Sequence, residues 1–197
     1  LMNLAPLMGC IDDEIPFPGG YVSASADSIA VWRHLLQRKP QHRLIALHWQ
    51  GNPEHEHSLY SRGRSLPFHE WLGLQGNDQL EFVSIQKGQA SEQLRTDQGL
   101  RFVMGQEAVS KSMDFQDTAA VIANCDLVIS SDSSVAHLAG AMGVPTWVAL
   151  RWIPEWRWRL EGTSTAWYSS LRLFRQSFDG DWTGVVQAMR KELHRSN

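Results

Sequence analysis

The sequence predicts an α/β fold, a parallel sheet covered by helices on both faces, and three observations predict it. Short, almost continuously apolar runs recur along the chain, as in strands buried on both sides. Between them lie stretches whose apolar residues are spaced for a helix. Gly and Pro punctuate the junctions, most clearly at Gly143 and Pro145, where a helix ends and a strand begins. The alternation runs clearly from residue 42 to residue 150.

Taken in order, residues 1–28 carry Pro6, Pro16, Pro18, Gly19 and Gly20 with little periodicity and read as a loop-rich segment or linker. The apolar run from Leu1 to Cys10 is short, has no positive start and is broken by Asn3 and Pro6, which argues against a signal peptide or a membrane span. From Asp27, the residues Ile29, Trp32, Leu35 and Leu36 lie at helical spacing ahead of Pro40. Strands are expected at 44–49 (LIALHW), 80–85 (LEFVSI), 126–130 (DLVIS) and 146–150 (TWVAL), with weaker candidates at 100–104 and 171–174. Helices are expected at 67–75, 117–124, 135–142 and 182–194, with Ser65, Asp117 and Ser134 as N-caps for the first three. In the last, Trp182, Val185, Val186, Met189 and Leu193 fall on one face. The expected organisation is a leading piece at 1–41, a sheet domain at 42–178 and a terminal helix at 179–197.

With 197 residues and 43% hydrophobic content the chain can bury a proper core. A formal charge of −3 gives no general attraction to nucleic acid or anionic lipid, so neither is an expected partner. Two cysteines, Cys10 and Cys125, lie far apart, which suggests neither a zinc ribbon nor a disulfide framework and makes a cytoplasmic location the default.

In an open α/β sheet, ligands bind at the carboxyl ends of the strands. The polar turn Ser130–Ser134 stands at such an end, where Asp132, Ser133 and Ser134 precede a helix whose free amides suit a phosphate. His137 lies one turn into that helix, on the same side. An ordinary helix cap with a hydrogen-bonded histidine is the plainer reading of the same residues. Loop 51–64, after the first strand, carries Asn52, His55, His57, Arg62 and Arg64 and is expected to face the cleft. His55 and His57, with His48 and Glu56, could form a metal site, but no third ligand stands at a defined spacing. Gln86 and Lys87 end the second strand where Lys87 reaches phosphate or ribose, or is a surface lysine. Asp117 and Thr118 are placed to touch base or ribose, or to cap their helix. Trp147, Trp152, Trp156, Trp158 and Trp167, interleaved with Arg151, Arg157 and Arg159, have a nucleic-acid look. Packing over the carboxyl edge of the sheet, closing the site or meeting another domain, is the preferred account.

The run D-S-S-x-x-H-L-A-x-A-x-G-x-P-T at 132–146 resembles the nucleotide-sugar motif of the heptosyltransferase family, glycosyltransferase family nine. Blocks at 48–67, 82–88, 114–148 and 167–176 resemble the glycosyltransferase-like domain of bacterial tetratricopeptide-repeat proteins. The resemblance implies a Rossmann-like domain forming one half of a GT-B fold, the half that holds a nucleotide-diphosphate sugar. It implies hexosyl or heptosyl transfer with no metal and no cofactor, the departing diphosphate being stabilised by Ser133, Ser134, His137 and a basic residue, Arg64 before Arg62. By the same resemblance, residues 1–21 look like the last part of an acceptor domain that is otherwise missing. The final helix is expected to cross back toward that domain, and no catalytic base can be named. The expected partners are the nucleotide sugar and an acceptor domain or partner chain, with self-association through a bare face. A non-catalytic nucleotide-sugar-binding module is the alternative. An epimerase, using His55, His57 or Asp132, ranks last.

Overall fold

The structure is a computed structural model that describes residues 15, 19–57, 62–76, 78–95, 99–112 and 114–195. Its centre is a five-stranded, wholly parallel sheet in the order β2-β1-β3-β4-β5. The strands are β1 (Arg43–His48), β2 (Leu80–Ser84), β3 (Leu127–Ser131), β4 (Thr146–Leu150) and β5 (Leu171–Arg175). Every residue of β2, β3 and β4 is buried, which is why these segments read as unbroken apolar runs rather than as alternating ones.

Period-two alternation sorts the strand residues onto two cores. On one face Ile45, Leu47, Ile129 and Ala149 pack with Trp71, Leu74, Val185 and Met189. On the other, Leu44, Ala46, Val83 and Val128 meet Trp32, Leu36, Ile122 and Val135. The helices responsible are α1 (Ala26–Leu36), α2 (Phe68–Trp71), α3 (Gln106–Lys111), α4 (Phe115–Ile122), α5 (Ser134–Ala141) and α6 (Trp182–Arg195). Helix α6 buries Trp182, Val185, Val186, Met189 and Leu193 against this domain's own sheet face. Each aliphatic side chain so buried contributes about 1.5–3 kcal/mol of transfer free energy. Its apolar stripe, expected to cross to another domain, is satisfied at home.

Several local expectations are corrected. Residues 100–104 form no strand: Phe102 makes an isolated bridge to Phe82, after which the chain turns at Gly105 into the unforeseen helix α3. A Cβ on Gly105 would stand 1.9 Å from the Leu35 carbonyl oxygen, so the tight approach to α1 requires glycine there. The helix expected at 67–75 is a four-residue α2 followed by a 3-10 turn, Leu72–Leu74. Ser65 does not cap it; Pro67 holds the N-cap position without a side-chain bond, and the Ser65 hydroxyl donates to Glu56 instead. Asp114, not Asp117, caps α4, accepting from the Asp117 amide at 2.7 Å. Ser133, not Ser134, stands at the N-cap of α5.

Of the leading segment, residues 1–14 and 16–18, with Cys10 and three of the prolines, lie outside the described residues. Its described part is tied to α5, the amides of Tyr21 and Val22 both donating to the Ala141 carbonyl at 2.7 and 2.9 Å.

Candidate functional site

The carboxyl ends of β1, β2 and β3 open into one cleft of about 690 Å³. Asn52, Arg64, Gln86, Lys87, Thr118, Asp132, Ser133, Ser134 and His137 all line it. Asp117 does not. Its carboxylate turns to the Trp32 indole N–H at 2.8 Å and the Ser112 hydroxyl at 2.9 Å, joining α1 to α4. Arg62 is exposed outside the cleft, its carbonyl accepting from the Arg151 guanidinium.

The start of α5 is the centre of the site. Ser133 has the extended conformation of a capping residue, yet its hydroxyl makes no bond to the helix. Its carbonyl accepts from the amides of Ala136 and His137, so the amides of Ser134 and Val135 are the ones the helix itself leaves open. Buried beside them, Asp132 Oδ2 has no hydrogen-bond partner, and neither has Arg64 Nε across the cleft. Unpaired buried polar atoms are costly, and their convergence on a cleft marks a place built for a polar guest.

Other lining residues serve as framework. Gln86, expected to touch ligand, is a clamp: its Oε1 accepts from the amides of Trp49 and Gln50 at 3.0 and 2.9 Å, and its Nε2 donates to the carbonyls of Gln50 and Lys87. It thereby joins the loops that leave β1 and β2. The Lys87 ammonium donates to the Val109 carbonyl. Burial lowers its pKa, while the carboxylates of Asp117 and Asp114 pull the other way. Thr118 donates its hydroxyl to the Asp114 carbonyl at 2.8 Å, a bond inside its own helix.

His137 is fixed from behind. Its ring stacks on Trp158 at 5.1 Å and 22°, and its Nδ1 lies 3.1 Å from the Tyr168 hydroxyl. Burial lowers its pKa against the opposing pull of Asp132. Trp158 and Tyr168 belong to the long β4–β5 connection, so part of the tryptophan cluster packs at the carboxyl edge, as expected. Trp152 and Trp156 are exposed, and Arg157 lies over Trp156 at 4.4 Å while paired with Glu155 at 2.6 Å.

His48, considered at first only as a possible metal neighbour, sits in the floor of the cleft at the end of β1. Its Nδ1 is 3.2 Å from Ser133 Oγ, and burial brings its pKa down to about 4. A polar residue ending an apolar strand was the available signal. Tyr168 and Asp114 were also missed as site-building residues. Among the described residues no group of three or more His, Cys, Asp or Glu is arranged to hold a metal, and Glu56 accepts from the Ser65 hydroxyl. The His55 and His57 side chains lie outside the described residues.

Residues 75–150 match the family model of glycosyltransferase family 9 (heptosyltransferase). The ADP-heptose LPS heptosyltransferase II of E. coli superposes with a TM-score of 0.57 at 13% identity, covering 95% of this chain and 55% of that one. The chain carries a heptosyltransferase-like GT-B domain. The E. coli heptosyltransferase WaaC, solved with ADP-2-deoxy-2-fluoro heptose, matches this domain with a TM-score of 0.53 at 15% identity, over 85% of this chain and 48% of that one. Protein FlbA of Caulobacter vibrioides is 27% identical over 177 residues, 86% of this chain and 28% of FlbA. The chain thus spans about half the length of the solved structures and under a third of FlbA. The family match takes in β2 to β4, and with them Lys87 and the start of α5. Arg64, His48 and the tryptophan-bearing loop of the heptosyltransferase-like domain lie outside it.

Proposed function

We propose that this heptosyltransferase-like domain binds a nucleoside-diphosphate sugar and forms the donor side of a glycosyltransferase. The observation that carries the reading is the start of α5, which opens on the cleft without a side-chain cap and faces a lining arginine whose Nε has no partner. A helix start concentrates partial positive charge and free N–H donors, and a guanidinium pairs readily with phosphate oxygens. During transfer the bond from the anomeric carbon to the diphosphate oxygen breaks and charge grows on the leaving group. Donors already in position stabilise that charge without reorganising. Arg64 and the α5 amides supply the positive charge in this scheme, so it needs no divalent ion. His137, braced by Trp158 and Tyr168, is assigned to the same ligand.

A second domain or a partner chain is proposed to bring the acceptor and the base that activates it, in keeping with a chain that spans about half of the heptosyltransferases it resembles. The exposed Trp152, Ile153 and Trp156 at the same edge of the sheet offer that partner, or a second copy of this chain, an apolar surface. Cys125 is half-buried and its desolvation pushes the thiol pKa up, an unreactive thiol suited to the cytoplasm we propose. Among the described residues no helix is long and apolar enough to cross a membrane.

The test is calorimetric titration with ADP, UDP, GDP and their sugars, on the native chain and on Ser134→Pro. Proline is tolerated at the first helical position but lacks the N–H, so the variant should fold and bind more weakly. A native chain that binds none of these nucleotides, nor pyrophosphate, would defeat the proposal.

A further inference from the structure

Ser133 is well suited to cap α5. Serine is among the preferred N-cap residues, and its φ of −152° and ψ of 170° are those of a capping position. Elsewhere in the molecule such residues do cap: Ser25 accepts from the Ser28 amide at the start of α1, and Asp114 from the Asp117 amide at the start of α4. Ser133 does not. Its hydroxyl lies 3.2 Å from His48 Nδ1 and 3.0 Å from Ser130 Oγ.

The hydrogens of this cluster can be counted. Ser130 donates to the Ser131 carbonyl at 2.8 Å, which uses its one hydrogen. Ser133 must therefore give its own hydrogen to Ser130. The remaining contact is made only if His48 Nδ1 carries a hydrogen and donates it to Ser133. His48 and Ser130 are register partners on the adjacent strands β1 and β3, so the sheet itself sets the spacing of the chain His48–Ser133–Ser130–Ser131. One lone pair of the Ser133 oxygen is left over, but the hydroxyl is held away from the helix amides.

We infer that His48, as the Nδ1–H tautomer, is a positioning residue that draws the Ser133 hydroxyl off the start of α5 and keeps the amides there open to the ligand. The identity of the ligand as a nucleoside diphosphate rests on the donor-site reading above; the orientation of the hydroxyl does not. Once His48 no longer donates, Ser133 turns to accept from the Val135 amide, one of the two the helix leaves open, and the diphosphate must compete with an internal cap. Ser133 on this account serves through its backbone, and its side chain has to be restrained.

Two readouts on the full chain test this. The first needs no ligand: hydrogen exchange of the Val135 amide, followed by NMR. In His48→Ala, and in His48→Phe, which keeps the ring's bulk without the donor, exchange at this amide should slow relative to the native chain. The second is calorimetric affinity for ADP, UDP and GDP, expected to fall about fivefold for whichever binds, as befits one cap bond. Adding Ser133→Ala to His48→Phe removes the competing hydroxyl and should restore both values, and His48→Asn, whose amide can donate in place of Nδ1–H, should stay near native. Unchanged exchange in folded His48→Phe, or affinity that stays low in the double variant, would overturn the inference. Failure of the native chain to bind any nucleoside diphosphate or pyrophosphate would sink the donor-site reading instead, with the exchange data still deciding the role of His48.

Discussion

Asp117 Oδ1 accepts the indole N–H of Trp32 at 2.8 Å, across 85 residues of sequence. With Oδ2 held by Ser112 at 2.9 Å, the carboxylate joins α1, the loop before α4 and α4 itself. Trp32 is almost wholly buried, so its N–H has no ready access to water. Asp117→Ala should cost about 1–3 kcal/mol in denaturant unfolding, the penalty of stranding a buried donor. Nucleotide affinity should be unchanged. A variant of native stability that binds nucleotide poorly would return Asp117 to the ligand site.

Arg64 and Arg62 are two residues apart, and only Arg64 lines the cleft. Its Nε lacks a partner in the protein, whereas Arg62 stands outside, exposed. Arg64→Ala should weaken nucleoside-diphosphate binding roughly 10- to 100-fold, corresponding to about 1.5–3 kcal/mol for a charged hydrogen bond. Arg64→Lys should recover part of it, since an ammonium keeps the charge but loses the fork. Arg62→Ala should stay within about twofold of native, as expected for a solvated surface arginine. Titration of the three variants checks the ranking, which reverses if Arg62 is the phosphate ligand.

Stability should depend on pH through His48. Burial lowers its pKa from 6.5 to about 4 in the folded chain, so between those values the unfolded chain binds the proton more readily. The neutral ring's contribution is complete above about pH 6.5 and is lost as the pH falls toward 4, amounting at full extent to about 3 kcal/mol. His137, also lowered by burial, acts in the same direction. Unfolding free energies measured between pH 4 and 7 should therefore rise with pH, and His48→Asn should flatten the rise. An unaltered slope in that variant would assign the effect to other groups.

The sheet was legible because parallel strands buried on both faces leave nearly unbroken apolar runs; all five observed strands match segments read from sequence within a residue or so. Helix α3 was not, for Gln106–Lys111 buries chiefly Val109 and carries a weak pattern. At the candidate site, position at strand ends pointed to loop 51–64 and the Ser133–His137 turn, and the family resemblance singled out Arg64 in that loop. It could not separate residues whose polar atoms face the ligand from those spent on the frame. Gln86 and Thr118 look identical to ligand contacts in sequence, and only their bonds to backbone distinguish them. His48 and Tyr168 act through contacts 85 and 31 residues away, and local spacing carries no trace of such pairings.

Arg175, on β5, gives the last prediction. Its guanidinium donates to the carbonyls of Trp158, Arg159, Glu161 and Gly162, with Nε to Gly162 at 2.7 Å and Nη1 to Arg159 at 2.9 Å. These four carbonyls belong to the connection 151–170, which has little regular structure and is long for a compact domain. Arginine can reach so many acceptors because its N–H groups spread in a plane; lysine cannot. Trp158, held in that loop, is the surface on which His137 stacks. Arg175→Lys should lower stability by about 1–3 kcal/mol and speed tryptic cleavage after Arg157 or Arg159, because the loop opens locally. Nucleotide affinity should fall with it, since His137 loses its backing. If cleavage accelerates while affinity holds, the loop is a brace for the fold alone and His137 does not depend on Trp158 for its place in the cleft.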